Sequence, residues 1–157
     1  MRFIVAISLV LALAGLSQAE MTRDDYMRMY IVNDSYENVR DDLELAITGR
    51  GIKINNISHI GNMLARTGKV AGAKKQIFAH AEAFEFCSST ISRRAMEADP
   101  HNIVFCPYII AVYSLPEEEN KTYISFRRPT LVGSKESRAA LQKVEDLMKG
   151  IAEEVAK

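Results

Sequence analysis

The chain is 157 residues long, with 20 Lys or Arg against 20 Asp or Glu and a formal net charge of zero. No block of Lys or Arg stands out, so nucleic acid and anionic membrane are poor candidates for a partner. The length suits one domain with one core and is short for two.

Arg2, the apolar run 3–16 and then Ser17, Gln18 and Ala19 make up the three parts of a secretory signal: a basic start, a hydrophobic middle and a small-residue cleavage site. Cleavage is expected after Ala19. A membrane anchor would need roughly 20 apolar residues, more than this run supplies. Residues 1–19 are therefore read as a signal peptide and residues 20–157 as a single mature domain, periplasmic or secreted, with no membrane attachment after signal removal. Loss of Arg2 leaves the mature chain at about −1. No cysteine stands at the cleavage site, so lipidation is not indicated. Asn-x-Ser/Thr triplets begin at Asn33, Asn56 and Asn120 and are read as chance in an exported chain of bacterial type.

Residues 20–25 are polar and read as a loose leader into a first strand, 26–32, where the alternation is weak. Asp34 with Glu37 three residues on is close to a capping box, and Val39, Leu43, Ala46 and Ile47 follow at helical spacing. The spacing predicts a helix over 35–48, closed by Gly49 and Gly51 in a left-handed turn. Ile52, Ile54 and Ile57 mark a second strand that ends near His59. Residues 61–75 read as a connection holding a short helix around 62–66.

A third strand is expected over 79–87, with Phe78, His80, Glu82, Phe84 and Phe86 on one face and Ala79, Ala81, Ala83, Glu85 and Cys87 on the other. The Phe face is expected to be core. Ser88, Ser89 and Thr90 can each cap a short helix over 88–99, which Pro100 stops. From Cys106 or Tyr108 to Leu115, the β-branched and aromatic residues Tyr108, Ile109, Ile110, Val112 and Tyr113 predict a fourth strand. A polar turn over 116–120 leads to a fifth strand, 122–127, ended by Pro129. Leu141, Val144, Met148, Ile151 and Val155 then form one apolar stripe on a helix over about 135–154, either a cover for the sheet or a homodimer seam.

Each cysteine thus sits at a strand end. A parallel crossover would leave Cys87 and Cys106 a strand length apart, whereas an antiparallel return brings them to one end of the sheet.

The order of a helix, a Gly51-Ile52 strand, a small-residue connection, a strand ending in Phe86, a short helix, Ala98-Asp99-Pro100, Pro107 and Val112-Tyr113 resembles the DUF302 family. The resemblance covers about 35–128. It implies an α+β fold: an antiparallel five-stranded sheet backed by an N-terminal and a C-terminal helix, with a short helix between strands three and four. It also implies frequent dimerisation and no assigned reaction. Where relatives have Gly after the strand-ending Phe, this chain has Cys87, and it has Cys106 just before the later proline. The implied fold brings this paired departure to one end of the sheet.

Export favours a Cys87–Cys106 disulfide closing a loop of about twenty residues. The alternative is a thiol site, because a helix N-terminus after Cys87 would lower a thiol pKa. With His101 and Met96, the two cysteines would make a soft donor set for Cu(I), or for Zn with fewer sulfurs. The absence of C-x-x-C argues against a thioredoxin-like dithiol, and that of C-x-x-C-H against covalent haem. His59 and His80 read as ordinary loop and sheet residues, and Met21, Met27 and Met29 as leader or core. No G-x-S-x-G, H-E-x-x-H, P-loop or dinucleotide fingerprint is present, and no residue is assigned a catalytic role. The sequence therefore reads as an exported, non-catalytic binding or accessory module for a small ligand or protein partner, which uses the sheet surface or its edge. The alternative is a thiol-dependent soft-metal carrier or a redox or sulfur-handling partner.

Overall fold

The computed structural model describes residues 23–118 and 120–157, and the expected signal peptide lies outside them. Among the described residues, β1 (Met27–Val32), β2 (Ile54–Ser58), β3 (His80–Phe86), β4 (Tyr108–Ser114) and β5 (Thr122–Arg127) form one sheet in the order β1-β5-β4-β3-β2. Every neighbouring pair is antiparallel, so the architecture is the expected α+β sheet with helical backing.

The registers sort the strand residues into two faces. Phe84 stands opposite Ile110, Ile110 opposite Phe126, and Tyr30 opposite Ile124, which places all of these on one face with Phe86, Tyr108 and Val112. Two helices cover that face. Helix α2 (Tyr36–Thr48) contributes Val39, Leu43, Ala46 and Ile47, and α5 (Lys135–Val155) contributes Val144, Met148, Ile151 and Ala152. The α5 stripe is thus taken up by the core of its own chain, and Leu141 beside it is also fully buried.

Both helices begin where short polar residues occupy free amides. Ser35 accepts from Asn38 N–H at 3.3 Å, and Ser134 accepts from Ser137 N–H at 3.1 Å. The cap of α2 is Ser35 rather than Asp34, whose carboxylate instead accepts from Ser35 N–H and the Asn38 amide. Gly51 takes φ +69° in the turn after α2, the left-handed conformation expected there.

Some elements depart from the sequence reading. A single helical turn, α1 (Arg23–Tyr26), precedes β1 and takes up the end of the expected loose leader together with Tyr26, which was expected to open the strand. Strand β2 begins at Ile54 rather than Ile52, which is buried ahead of it, and a register shift lies within the strand between Ile54 and Asn56. Helix α3 (Ile60–Gly68) is longer than the expected 62–66, and it packs against β3. Gly61 there comes so near the strand that a Cβ would lie 2.9 Å from Ala81 N. Phe78 precedes β3 and makes an edge contact with Tyr113, which is on the sheet face opposite Phe84, so strict alternation fails at that end. Helix α4 (Ser89–Ala98) and a 3₁₀ turn (Pro100–Phe105) then connect β3 to β4.

Candidate functional site

The β3–β4 pairing sets Phe86 opposite Tyr108, so the residues just beyond both strands come together. Cys87 and Cys106 are joined there by a disulfide with a Cα separation of 6.3 Å, inside the roughly 7 Å limit for such a bond. Both residues are half-buried. Ser88 caps α4 by accepting from Ile91 N–H at 3.4 Å. From the first buried turn of α4, the Ser92 hydroxyl lies 3.8 Å from Cys106 Sγ and shares a 2.8 Å hydrogen bond with the Tyr108 hydroxyl. Burial pushes the Tyr108 phenol pKa upward. The peptide bond between Cys106 and Pro107 is cis.

The other members of the soft donor set lie nearby in different surroundings. Met96 lines a small apolar void with Cys106, Tyr108 and Leu141. His101 is exposed at the start of the 3₁₀ turn, where its backbone N–H donates to Asp99 at 2.9 Å. In the bonded state both sulfurs are committed to each other, so the geometry offers a covalent tie rather than thiolate ligands. Among the described residues, no group of three or more His, Cys, Asp or Glu is placed to hold a metal ion.

A second polar group forms where α2 crosses β3. Glu82 lies on the Phe84 face and receives His59 Nδ1 at 2.7 Å and Arg40 Nε at 3.2 Å. Arg40 also donates to Glu44 at 2.6 Å and sits over the Phe84 ring at 5.3 Å. Burial, and then the neighbouring Glu82 carboxylate, push the Tyr36 phenol pKa upward. His80 stacks on Tyr36 at 4.7 Å between ring centroids. Sequence reasoning placed Glu82 on this face but left His59 and His80 as ordinary residues. Their grouping depends on the β2–β3 register, which no local pattern encodes.

The second sheet face is open over β1, β5 and β4. Met29 stands opposite Ser125, Ser125 opposite Ala111, and Tyr113 opposite Tyr123, which places these residues with Ile31 and Ile109 on the face turned away from α2 and α5. Ile31 is 51% exposed and Ile109 41%. Tyr113 and Tyr123 stack at 5.1 Å, and the Tyr113 hydroxyl donates to Met29 Sδ at 3.5 Å.

Comparisons with known proteins agree with this architecture. The family model described as "Domain of unknown function DUF302" matches residues 30–155. A solved structure, the crystal structure of an uncharacterized conserved protein DUF302 from Bacillus stearothermophilus, superposes with a TM-score of 0.66 at 17% identity. The match covers 82% of this chain and 96% of that one, and at such identity it shows the fold alone. No curated protein matches the chain.

Proposed function

The chain belongs to the DUF302 family, and from that premise we propose that it is an exported, non-catalytic binding module stapled by the Cys87–Cys106 disulfide, whose open sheet face receives a second copy of the chain. The observation that carries this reading is the composition of that face. Met27, Met29, Ile31, Ile109 and Tyr113 form an apolar and aromatic surface with the largely buried Tyr123 among them and the charged Arg127 at its end. Protein interfaces are enriched in Tyr and Met at the centre and depleted of charge there. A formal net charge of about −1 after loss of Arg2 leaves little net repulsion between two copies. The α5 stripe is not available as the seam, because its residues are buried against the sheet.

The disulfide supports export, since such bonds persist in oxidising compartments. No described helix is long and apolar enough to cross a membrane. Light scattering of the oxidised chain across a concentration series tests the reading. A mass of two chains is expected, falling to one for the Ile31→Lys, Ile109→Lys double variant while its melting temperature stays within a few degrees. A single-chain mass for the parent protein at high concentration would overturn the self-association.

A further inference from the structure

We infer that the end of α3 and the loop that follows it form a docking surface for an anionic lipid bilayer. This surface is separate from the face of β1, β5 and β4 proposed above for self-association, and the inference does not rest on that reading.

The balance of charge over the whole chain, which speaks against an anionic membrane, conceals a segregation. Between Glu44 and Glu82 there is no acidic residue, while Arg50, Lys53, Arg66, Lys69, Lys74 and Lys75 all fall there. Arg50 is paired with Glu154 at 2.7 Å. Arg66, Lys69, Lys74 and Lys75 are all exposed, and none of them has an ion-pair partner among the described residues. An unpaired cationic stretch on a mature chain that is otherwise acidic turns that side of the molecule toward a negative surface, whatever the net charge.

Apolar side chains stand among these cations. Helical hydrogen bonding runs on past Gly68, since Ala71 N–H donates to the Thr67 carbonyl at 3.0 Å. The helix then closes on Gly72 at φ +71°, whose amide donates to the Lys69 carbonyl at 3.3 Å while Ala73 N–H reaches the Gly68 carbonyl at 2.8 Å. That closure fixes the projecting end. Ile60, Gly61, Leu64 and Gly68 form the less exposed side of α3, which packs against β3. On the other side Met63, Arg66 and Val70 follow at spacings of three and four, and Val70 is 93% exposed at the end. Ile77, just after Lys74, Lys75 and Gln76, is 52% exposed.

This mixture selects among anionic partners. A soluble polyanion gains nothing from Val70 or Ile77, and protein interfaces are depleted of Lys. The interfacial zone of a bilayer takes both kinds of side chain, because apolar tips enter the boundary of the acyl chains while the cations stay at the headgroups. Four cations and a few apolar tips give a reversible, salt-sensitive attachment rather than a permanent anchor.

The test is co-sedimentation of the exported, oxidised chain with vesicles of phosphatidylglycerol and phosphatidylcholine in about equal parts, against vesicles of phosphatidylcholine alone. Saturable binding is expected to the mixed vesicles only, and about tenfold or more weaker in about 0.5 M salt. The double variant Lys74→Glu, Lys75→Glu should weaken it by about tenfold or more, and Val70→Asn severalfold. All three positions are exposed, so melting temperatures should stay within a few degrees of the parent. The lipid and salt dependence of the parent chain needs no variant, so it decides the matter even where a variant misfolds. No binding of the parent to the mixed vesicles at low salt would overturn the inference, as would equal binding to both kinds of vesicle. Equally tight binding to heparin, with Val70→Asn leaving vesicle binding unchanged, would make the loop a plain polyanion site and overturn it too. None of these results would alter the chain mass that tests self-association.

Discussion

Glu145 is a charged residue held at 2% exposure inside a small core, and its partners decide whether that is tolerable. Arg128 approaches it at 2.6 Å and Arg28 at 3.4 Å, so the carboxylate is paired from β1 and from the residue that follows β5. Removing one partner of a buried pair costs about 3–5 kcal/mol, because the other charge is left uncompensated. Arg128→Met should therefore lose about 3 kcal/mol or more by urea denaturation and Arg28→Met clearly less, the reverse order being the result that contradicts the geometry. For the disulfide, Cys87→Ser and Cys106→Ser should each lose about 3 kcal/mol, and the double variant little more, since one bond is broken in all three. Tyr36 and Tyr108 both have phenol pKa values raised above the ordinary 10, chiefly by burial. Their contribution to stability is present below pH 10 and is lost as pH rises through the folded-state values, because the unfolded chain ionises first. The denaturation midpoint should fall as the pH rises above 10, and fall less steeply in Tyr36→Phe. At this scale the cysteines were legible from their identity and their strand-end positions. Glu145 was not, because a lone acidic residue beside Val144 reads as the wet edge of the stripe until β1 and β5 bring two arginines to it.

Among the elements, α5 was the most legible, because a 3,4 spacing over five positions has one physical use: burial of that side. Met148 is 3% exposed against the sheet, so Met148→Asp places a charge in the core interface. The cost should be several kcal/mol, a large share of a typical domain's stability, and would appear as a melting temperature lowered by well over ten degrees or as failure to fold. An unchanged melting temperature would mean that the stripe faces water. Strands β3 and β5 were legible from their period of two and β4 from its β-branched and aromatic content, but β3 carried a conflict within one face. Phe84 and Phe86 are fully buried, while His80 and Glu82 on the same face meet Tyr36 and Arg40 of α2. Alternation reports which residues share a face, and it is silent on which helix side chains will stand over them. The start of β2 was misplaced for a related reason, since Ile52 is buried ahead of the strand and so continues the isoleucine period without pairing.

At the scale of the whole molecule, the direction of the strands was open from the residues alone, and the antiparallel arrangement followed from the family resemblance that the register now matches. That arrangement joins compartment to fold, because it brings Cys87 and Cys106 to one end of the sheet. The last prediction rests on that connection. If residues 1–19 direct export and are removed, and the disulfide forms outside the reducing cytoplasm, the two events leave a joint signature in one protein. Intact mass of the exported chain should correspond to residues 20–157 less two hydrogens, and a thiol reagent should find no reactive cysteine in the denatured protein until a reductant is added. Each departure has a distinct meaning. Retention of residues 1–19 in a membrane fraction would show an anchor in place of a signal. Correct processing with two reactive thiols would leave the module exported but unstapled, and the stability lost in the serine variants would then have to come from packing around Ser92 and Tyr108 rather than from a covalent tie.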